Sequence, residues 1–343
     1  MDLGFGLIGF GRWGKHHAKA ISQTKGAKLV AICAKSEESC MKAKKEFKVD
    51  TYQDYKELLK RKDIDIVDIV LPNYLHKQVA IDSLNHGKHV LLEKPMAMSV
   101  RECDAILRAV KKNNRILHIG FEMRVSPLWS KIKEIIDNGG IGRPIYVIVE
   151  LWRGPYRPGS DGWRYDKDRV GSWILEEPVH FLDLVCWYME EIGDPISVYA
   201  RANSRGKGDL TENMSFLINF PGGAYAVVNQ TLAAYEHHQS VKIVGLKGAL
   251  YGRWDGPVDE TANPTFQLEY YNGKVVQKVP IKEMAGEAYE IKMEIEAMVN
   301  AVKRGKSTYL ATGEDGRRAV ALCVAGDRSN RLNKIINIPK FNF

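Results

Sequence analysis

The feature that constrains the fold most is a glycine-rich turn near the N-terminus. Gly9, Gly11 and Gly14 form the pattern GxGxxG, which directly follows a short apolar strand from Phe5 to Ile8 and opens a predicted helix. In such a unit the first glycine allows the tight turn, the second lets the backbone approach a pyrophosphate, and the third lets helix and strand pack closely. The pattern therefore predicts a dinucleotide-binding Rossmann unit.

Predicted strands and helices alternate through the first third of the chain, which indicates βαβ units and a parallel sheet. Beyond residue 124 the predicted strands are rich in β-branched and aromatic residues and are separated by longer turns, as is typical of a mostly antiparallel sheet. A chain of 343 residues suits two domains. We therefore expect an α/β fold, with a doubly wound parallel sheet in residues 1–123 and an α+β domain with a large, mostly antiparallel sheet in residues 124–343.

Composition argues against several classes of protein. No stretch approaches the roughly 20 apolar residues that span a bilayer, and no signal-peptide pattern precedes the first strand, so we expect a cytoplasmic protein without a membrane partner. The five cysteines are scattered and never spaced CxxC, which predicts neither a metal site nor a disulfide framework. The net charge of +8 is spread along the chain without a nucleic-acid-binding motif, so no nucleic-acid partner is expected.

The end of the second predicted strand bears on the choice of nucleotide. An acidic residue there would bind the ribose 2′-hydroxyl of NAD. Here the strand runs into Ala34, Lys35 and Ser36, which offer a cation and a hydroxyl to a 2′-phosphate instead. The sequence therefore favours NADP over NAD; the alternative is that Lys35 points into solvent and NAD binds through other contacts.

Two further segments end predicted strands of the parallel sheet. They are Leu71-Pro72-Asn73, followed by His76, and Glu93-Lys94-Pro95. Ligands of open parallel sheets bind beyond the carboxyl ends of the strands. A lysine in that position is suited to acid–base work or to orienting a hydroxyl.

The second half of the chain supplies a histidine. Glu176 and His180 are four residues apart, so that a helical turn would place both on one face. A carboxylate beside an imidazole can fix its tautomer and raise its basicity. The alternative, before other evidence is weighed, is that His180 is an ordinary core residue.

Together these motifs resemble the Gfo/Idh/MocA oxidoreductases, in order and over essentially the whole chain. The residues that carry the resemblance are Gly9-Phe10-Gly11-Arg12-Trp13-Gly14, Pro72-Asn73 with His76, Glu93-Lys94-Pro95, and His180 with Asp183. The resemblance implies a Rossmann domain, an open-faced sheet domain that often mediates oligomerisation, and hydride transfer between a secondary alcohol of a sugar or cyclitol and the nicotinamide.

The resemblance also implies roles for individual residues. Lys94 would orient or help deprotonate the reacting hydroxyl, His180 would be the principal acid–base, and Glu93 and Pro95 would shape the nicotinamide pocket. Trp163 and Arg164 match a family segment that touches the cofactor, and Glu122 is assigned to the cofactor as well.

The chain departs from the family pattern in two places beside His180. Glu176 stands where the family commonly has an aspartate, and Pro178 where it has a glycine. Glutamate keeps the charge but reaches one methylene further, so either an acid–base role beside His180 or a contact with substrate is open to it. Proline stiffens the segment.

The loop from Arg153 to Gly171 indicates a carbohydrate or cyclitol substrate, because it combines aromatic faces with forked arginine donors. The residues expected to contact substrate are Lys94, Arg124, Arg153, Tyr156, Trp163, Glu176 and His180. Two alternatives to a dehydrogenase or reductase remain open: a glycoside-cleaving enzyme that oxidises the sugar transiently with a tightly bound nicotinamide, and a non-catalytic nucleotide sensor. The presence of both Lys94 and His180 argues against the sensor.

Overall fold

The computed structural model describes residues 1–206, 210–258, 261, 264–282, 286–306 and 310–339. The chain forms two compact units, the first made of Met1–Val125 with Ala288–Arg317 and the second of Ser126–Glu287 with Arg318–Phe343. The chain first passes from the first unit to the second two residues beyond the boundary expected from the sequence. Residues 288–317 return to the first unit, whereas the expected boundary divided the chain at a single point.

The strands of the two units follow one another along the chain. In order they are β1 (Leu3–Ile8), β2 (Ala27–Cys33), β3 (Asp50–Tyr52), β4 (Ile66–Ile69), β5 (His89–Glu93), β6 (Leu117–Gly120), β7 (Pro144–Arg153), β8 (Ser197–Asn203), β9 (Asn213–Asn219), β10 (Tyr225–Thr231), β11 (His237–Gly245), β12 (Ala249–Gly256), β13 (Thr265–Tyr271), β14 (Val276–Lys278), β15 (Ala311–Thr312) and β16 (Ile336–Asn337).

Helices connect and cover these strands. They are α1 (Arg12–Gln23), α2 (Glu37–Phe47), α3 (Tyr55–Leu59), α4 (Asn73–Asn85), α5 (Val100–Asn113), α6 (Pro127–Asp137), α7 (Lys167–Val170), α8 (Pro178–Tyr188), α9 (Glu287–Arg304) and α10 (Gly313–Leu332). Ser36 caps α2 and Ser99 caps α5, each accepting a hydrogen bond from the backbone of the third residue that follows.

The first unit contains a seven-stranded sheet in the order β15-β6-β5-β4-β1-β2-β3. All neighbouring strands in it are parallel except β15, which pairs antiparallel with β6. The strand order reverses between β4 and β1, so the crevice beyond their carboxyl ends is the place where such sheets bind nucleotides. Buried Ile291 and Ile295 of α9 share one hydrophobic core with Phe5 and Leu91, which explains why this late helix belongs to the first unit.

The second unit contains a nine-stranded sheet in the order β14-β13-β12-β11-β7-β10-β9-β8-β16. Only β7 and β10 pair in parallel among its described strands. Burial alternates along the strands; in β9, for example, Phe216 is buried and Leu217 is exposed. One face of the sheet therefore packs into the unit and the other does not. The fold class expected from the sequence, a doubly wound parallel sheet plus a mostly antiparallel sheet, is confirmed.

The second sheet extends beyond the strands expected from the sequence, which ended at Val244. Strands β12, β13 and β14 follow, and β12 carries Gly252, Arg253 and Asp255 among its apolar residues. Glycine and aspartate are depleted in strands, so cross-strand pairing rather than intrinsic preference holds this segment extended. Within the described part of the chain, no helix is both long enough and apolar enough to cross a bilayer.

Candidate active site

The glycine turn leaves the end of β1 at the centre of the first sheet. Gly9 has a φ of 108°, and a Cβ there would lie 2.0 Å from the carbonyl oxygen of Val70. A Cβ on Gly14 would lie 2.0 Å from the carbonyl oxygen of Gly9. Both positions therefore require glycine, one for its conformation and one for close packing of α1 on the turn.

Gly11 is different, because a Cβ built on it meets no described atom within 4 Å. It is the N-cap of α1, and as a glycine it brings no side chain to cap this helix end. The first backbone N–H groups of α1 lie at the positive end of the helix dipole, beside the space that Gly11 leaves. This cradle fits the pyrophosphate of a dinucleotide; Phe10, Arg12 and Trp13 flank it in sequence.

Three residues follow β2 at the same edge of the sheet, since β1 and β2 are parallel neighbours. Ala34 is buried, and Lys35 and Ser36 are exposed. The Ser36 hydroxyl accepts a hydrogen bond from the Ser39 amide at 3.2 Å as the cap of α2. Lys35 is therefore the cationic side chain of this segment, and Ser36 has a structural partner already.

The segment after β4 is tied to the segment after β5 by a histidine. His76 is fully buried, with Nε2 2.7 Å from the Leu71 carbonyl oxygen and Nδ1 2.7 Å from that of Pro95. Pro72 is the N-cap of α4 and Asn73 is its first residue. His76 thus links the two segments that follow β4 and β5.

Glu93, the last residue of β5, is buried and accepts hydrogen bonds from several donors. Its Oε1 lies 2.9 Å from the indole Nε1 of Trp13 and 3.0 Å from Nε2 of His17, and its Oε2 accepts from the backbone N–H of Lys94 at 3.1 Å. Burial alone would raise the pKa of Glu93, but His17, Lys94 and the Trp13 hydrogen bond lower it below the usual value. The side chain is therefore an ionised carboxylate under the glycine turn.

Lys94 follows Glu93 and is half-buried at this strand end. Burial raises the pKa of the nearby Glu122 carboxyl well above its usual range; Lys94 opposes this shift, and Glu93 and Glu290 add to it. Arg124, also expected to contact substrate, is buried with Nη1 3.2 Å from Asp315 of α10. Its charge is thus compensated within the first unit.

The remaining candidates lie in the second unit. Glu176 precedes α8 at the end of a short 3-10 turn, and its Oε2 accepts a hydrogen bond from Nε of Arg164 at 2.7 Å. The Arg164 guanidinium lies 4.8 Å from the centre of the Trp163 ring. His180 is buried in the first turn of α8.

Aromatic side chains pack beside these residues. Tyr156 and Tyr165 both meet the Trp173 ring edge-on, at centroid distances of 5.5 and 5.1 Å. The Arg153 guanidinium lies 5.2 Å from the Tyr156 ring, and its Nη1 is 3.2 Å from Glu177. Tyr156 is buried, and its hydroxyl has no hydrogen-bond partner among the described residues.

The sequence motifs do not indicate several buried acid–base groups of the first unit, among them His17 on α1, Asp68 on β4 and Glu294 on α9. A signal for Asp68 was available, because an aspartate inside a four-residue apolar strand is unusual unless it is paired. No group of three or more His, Cys, Asp or Glu side chains that could hold a metal occurs among the residues described.

Comparisons with known proteins agree with this geometry. Residues 3–121 match the model of the oxidoreductase family with an NAD-binding Rossmann fold, and residues 129–251 match the GFO/IDH/MocA C-terminal domain. The chain is 32% identical to the uncharacterized oxidoreductase YrbE of Bacillus subtilis, over 71% of this chain and 72% of that protein. It is 27% identical to the myo-inositol 2-dehydrogenase of Thermotoga maritima, over 94% of this chain and 95% of that protein.

Solved structures give the same result. A putative myo-inositol dehydrogenase from Sinorhizobium meliloti superposes with a TM-score of 0.82 at 26% identity, covering 98% of this chain and 100% of that one. A levoglucosan dehydrogenase in complex with NADH and levoglucosan shares the fold, with a TM-score of 0.82 at 23% identity, covering 99% of this chain and 100% of that one. Glycine cradle, strand-end lysine and both matched domains lead to one conclusion: the chain belongs to the Gfo/Idh/MocA family of oxidoreductases.

Proposed function

We propose that this protein is an NADP-preferring dehydrogenase or reductase that acts on a secondary alcohol or ketone of an uncharged sugar, glycoside or cyclitol. The observation that carries the proposal is the edge of the first sheet, where the open cradle at Gly11 and the Glu93-Lys94-Pro95 segment follow parallel strands. A nicotinamide nucleotide, when bound, supplies the hydride acceptor or donor.

Two residues are proposed to handle the proton of the alcohol. Lys94 orients the reacting hydroxyl and helps to deprotonate it, and His180 is the principal acid–base. Glu176, which accepts a hydrogen bond from Arg164, is proposed to support this chemistry. These roles rest on the match of the residues to the family pattern.

The proposed nucleotide contacts extend along the strand ends. Residues of the glycine turn would hold the pyrophosphate, Lys35 would meet a 2′-phosphate, and Leu71, Pro72, Asn73, Pro95 and Glu122 would line the rest of the site. His76 and Glu93 are both buried, so they would support the segments that line the nucleotide site. Trp163 and Arg164 are proposed to touch the cofactor as well.

Charge pairing in the second unit favours an uncharged substrate over a sugar acid. The guanidinium groups of Arg153 and Arg164 are already matched by the carboxylates of Glu177 and Glu176. The Tyr156 hydroxyl, by contrast, is buried and has no partner among the described residues, so it is available to a substrate hydroxyl. The names of the inositol dehydrogenases among the relatives support a cyclitol.

The test is nicotinamide absorbance with purified protein and a substrate panel. NADP and NAD are supplied in turn with inositols, free sugars, alkyl glucosides and sugar acids, and the reduced nucleotides with the corresponding ketones. Turnover of an uncharged polyol, faster with NADP than with NAD, is the expected result. Turnover of sugar acids alone would overturn the assignment of an uncharged substrate.

Two other outcomes would replace the proposal. Release of sugar from a glycoside without net absorbance change, with nucleotide tightly bound, would indicate the glycoside-cleaving alternative. Nucleotide binding without turnover, with biological function intact after replacement of Lys94 and His180, would indicate a sensor. The cytoplasmic location expected from the sequence stays a prediction.

We further propose that the protein assembles as a homo-oligomer through the outer face of the nine-stranded sheet. Leu217 and Tyr225, on the adjacent strands β9 and β10, are exposed there, and Val244 of β11 is exposed as well. Light scattering coupled to size-exclusion chromatography is expected to show a dimer or tetramer that dissociates in Leu217→Asp. A wild-type monomer at all concentrations would exclude the assembly.

A further inference from the structure

Beneath the strand-end lysine, a buried imidazole lies between two carboxylates. Nδ1 of His17 is 2.8 Å from Oδ2 of Asp68, and Nε2 is 3.0 Å from Oε1 of Glu93. The exposed fractions of His17, Asp68 and Glu93 are 1%, 0% and 7%. His17, Asp68 and Glu93 form a buried hydrogen-bonded array, and they come from α1, β4 and β5. The array therefore connects the helix of the glycine turn to the strand that Lys94 follows.

The array needs a proton beyond those of a neutral imidazole. A neutral ring has one N–H, and its bare nitrogen would face the lone pairs of a carboxylate. Burial lowers the pKa of His17, but Asp68 and then Glu93 outweigh it and raise the pKa well above the usual value. Burial raises the pKa of Asp68. Both ring nitrogens of His17 therefore face carboxylate oxygens, and the donors Trp13, His17 and the Lys94 amide favour the charged form of Glu93.

Two further carboxyl groups, those of Glu294 and Glu122, lie near the array. Glu294 of α9 has an exposed fraction of 1%, and neither of its carboxyl oxygens has a hydrogen-bond partner among the described residues. Burial, and then Glu93 and Glu122, raise the pKa of Glu294 well above its usual range, as burial does for Glu122. Burial thus disfavours the charged form of both carboxyls, whereas hydrogen bonds from three donors favour the charged form of Glu93 beside Lys94.

Resting on the proposed function of Lys94, we propose that His17 is a positioning residue of the reaction. Held by Asp68, it fixes the Glu93 carboxylate in the one orientation that receives both the Trp13 indole and the Lys94 backbone amide. Gly120 allows this placement, because a Cβ there would lie only 3.2 Å from Oε1 of Glu93. His17 therefore acts on Lys94 through Glu93 and touches neither substrate nor nucleotide.

The first experiment uses the Trp13 indole as a reporter in the nucleotide-free protein. Its ¹H–¹⁵N signal is identified by its loss in Trp13→Phe. We expect a downfield signal that stays constant across about pH 6 to 9, because the carboxylate it meets remains ionised. His17→Gln should move this signal. The matched control is His118→Gln, another fully buried histidine of the first unit, on β6, which should leave the signal in place.

The second experiment measures steady-state turnover of the same variants. His17→Gln is expected to lower kcat by about 10- to 100-fold, with KM within about threefold, because misplacement of a catalytic group affects the chemical step. His118→Gln should keep the wild-type kcat. The double variant His17→Gln/Glu93→Gln should be no slower than Glu93→Gln alone, because both changes act through one carboxylate.

The outcomes separate the two proposals. An indole signal unmoved by His17→Gln, or an equal loss of kcat in the His118 variant, would overturn the positioning role. Wild-type protein that turns over no polyol would count against the proposed function, while the indole signal still decides whether His17 fixes Glu93. Should His17→Gln not fold, Asp68→Asn, which keeps the shape and removes the charge, is expected to move the indole signal in the same sense.

Discussion

The indole Nε1 of Trp13 donates a hydrogen bond to Oε1 of Glu93 at 2.9 Å. This bond joins the glycine turn to the strand that ends at the proposed catalytic lysine, across 80 residues of sequence. Two motifs that look independent in the sequence are thus one structural unit.

Trp13→Phe removes one donor from the buried Glu93 carboxylate and keeps a flat apolar ring. We expect the free energy of unfolding to fall by about 1–3 kcal/mol, the range for a hydrogen bond to a charged group. Urea unfolding measures it. The control is Trp152→Phe, at an exposed tryptophan in β7, which should have a much smaller effect. Equal losses in the two variants would show that the bond to Glu93 contributes nothing.

Lys94→Met tests the proposed acid–base chemistry. Because positioned proton transfer typically contributes about 10²- to 10⁴-fold, we expect a loss of kcat in that range. The Kd of the nucleotide, measured by calorimetry, should change by about threefold or less. Lys112→Met, an exposed lysine of α5 in the same unit, is the charge-matched control. Full activity of Lys94→Met would remove this residue from the mechanism.

Lys35→Asp tests the preference for NADP. The new carboxylate repels a 2′-phosphate and can accept a hydrogen bond from a ribose 2′-hydroxyl. The ratio of kcat/KM for NADP to that for NAD should fall by about tenfold or more, equivalent to about 1.4 kcal/mol. Lys44→Asp, an exposed lysine of α2, makes the same charge change at the end of the following helix and should alter the ratio little. An unchanged ratio in Lys35→Asp would mean that Lys35 does not face the nucleotide.

Tyr156→Phe tests whether the buried hydroxyl serves the substrate. Because the hydroxyl has no partner among the described residues, its removal should leave the free energy of unfolding unchanged or raise it by about 1 kcal/mol. The KM for the polyol should rise about tenfold. Tyr165→Phe is the matched control: its hydroxyl donates to the Tyr156 carbonyl oxygen at 2.8 Å, so its removal should destabilise the fold. A wild-type KM in Tyr156→Phe would exclude the contact.

Glu294→Gln tests the buried carboxyl of α9 through the pH dependence of stability. The pKa of Glu294 is raised in the folded protein, whereas in the unfolded chain it is about 4.3, so folding takes up a proton above that pH. The contribution is complete below about pH 4 and is lost as the pH rises toward the folded value, by up to about 1.4 kcal/mol per pH unit.

Glutamine has the same shape without the titration. Glu294→Gln should therefore gain stability relative to wild type as the pH rises from about 5 to 8, and urea unfolding at the two pH values measures this gain. Glu296→Gln on the same helix, with a side chain that is 36% exposed, should show no such trend. A parallel pH dependence in wild type and Glu294→Gln would mean that Glu294 is not protonated in the fold.

Local sequence patterns were sufficient to predict much of this structure. The GxGxxG turn, the alternation of strands and helices and the strand-end position of Lys94 depend on neighbouring residues, and each is visible in the sequence because glycine conformation and strand periodicity are local properties. The same holds for the cap of α5: Ser99 accepts from the Glu102 amide as the spacing indicates, although the Glu102 carboxylate accepts from Met98 instead of Ser99.

Tertiary structure alone decided the partners of the charged side chains. His17, Asp68 and Glu93 lie on three elements, and their pairing depends on the order of the strands in the sheet. The ion pair of Glu176, which lies ahead of α8, with Arg164 is likewise not visible in the sequence spacing; whether Glu176 also acts beside His180 stays a prediction.

The return of α9 to the first unit has the same origin. Its apolar face carries Ile291 and Ile295, a pattern that predicts a helix but not the core into which it packs. Periodicity along a chain determines which residues a helix or strand buries, whereas burial against a distant element is set by the free energy of the whole core. The sequence by itself therefore determined the alternating elements of the first unit, the nucleotide cradle and the family, and the tertiary structure decided which buried charges lie next to Lys94.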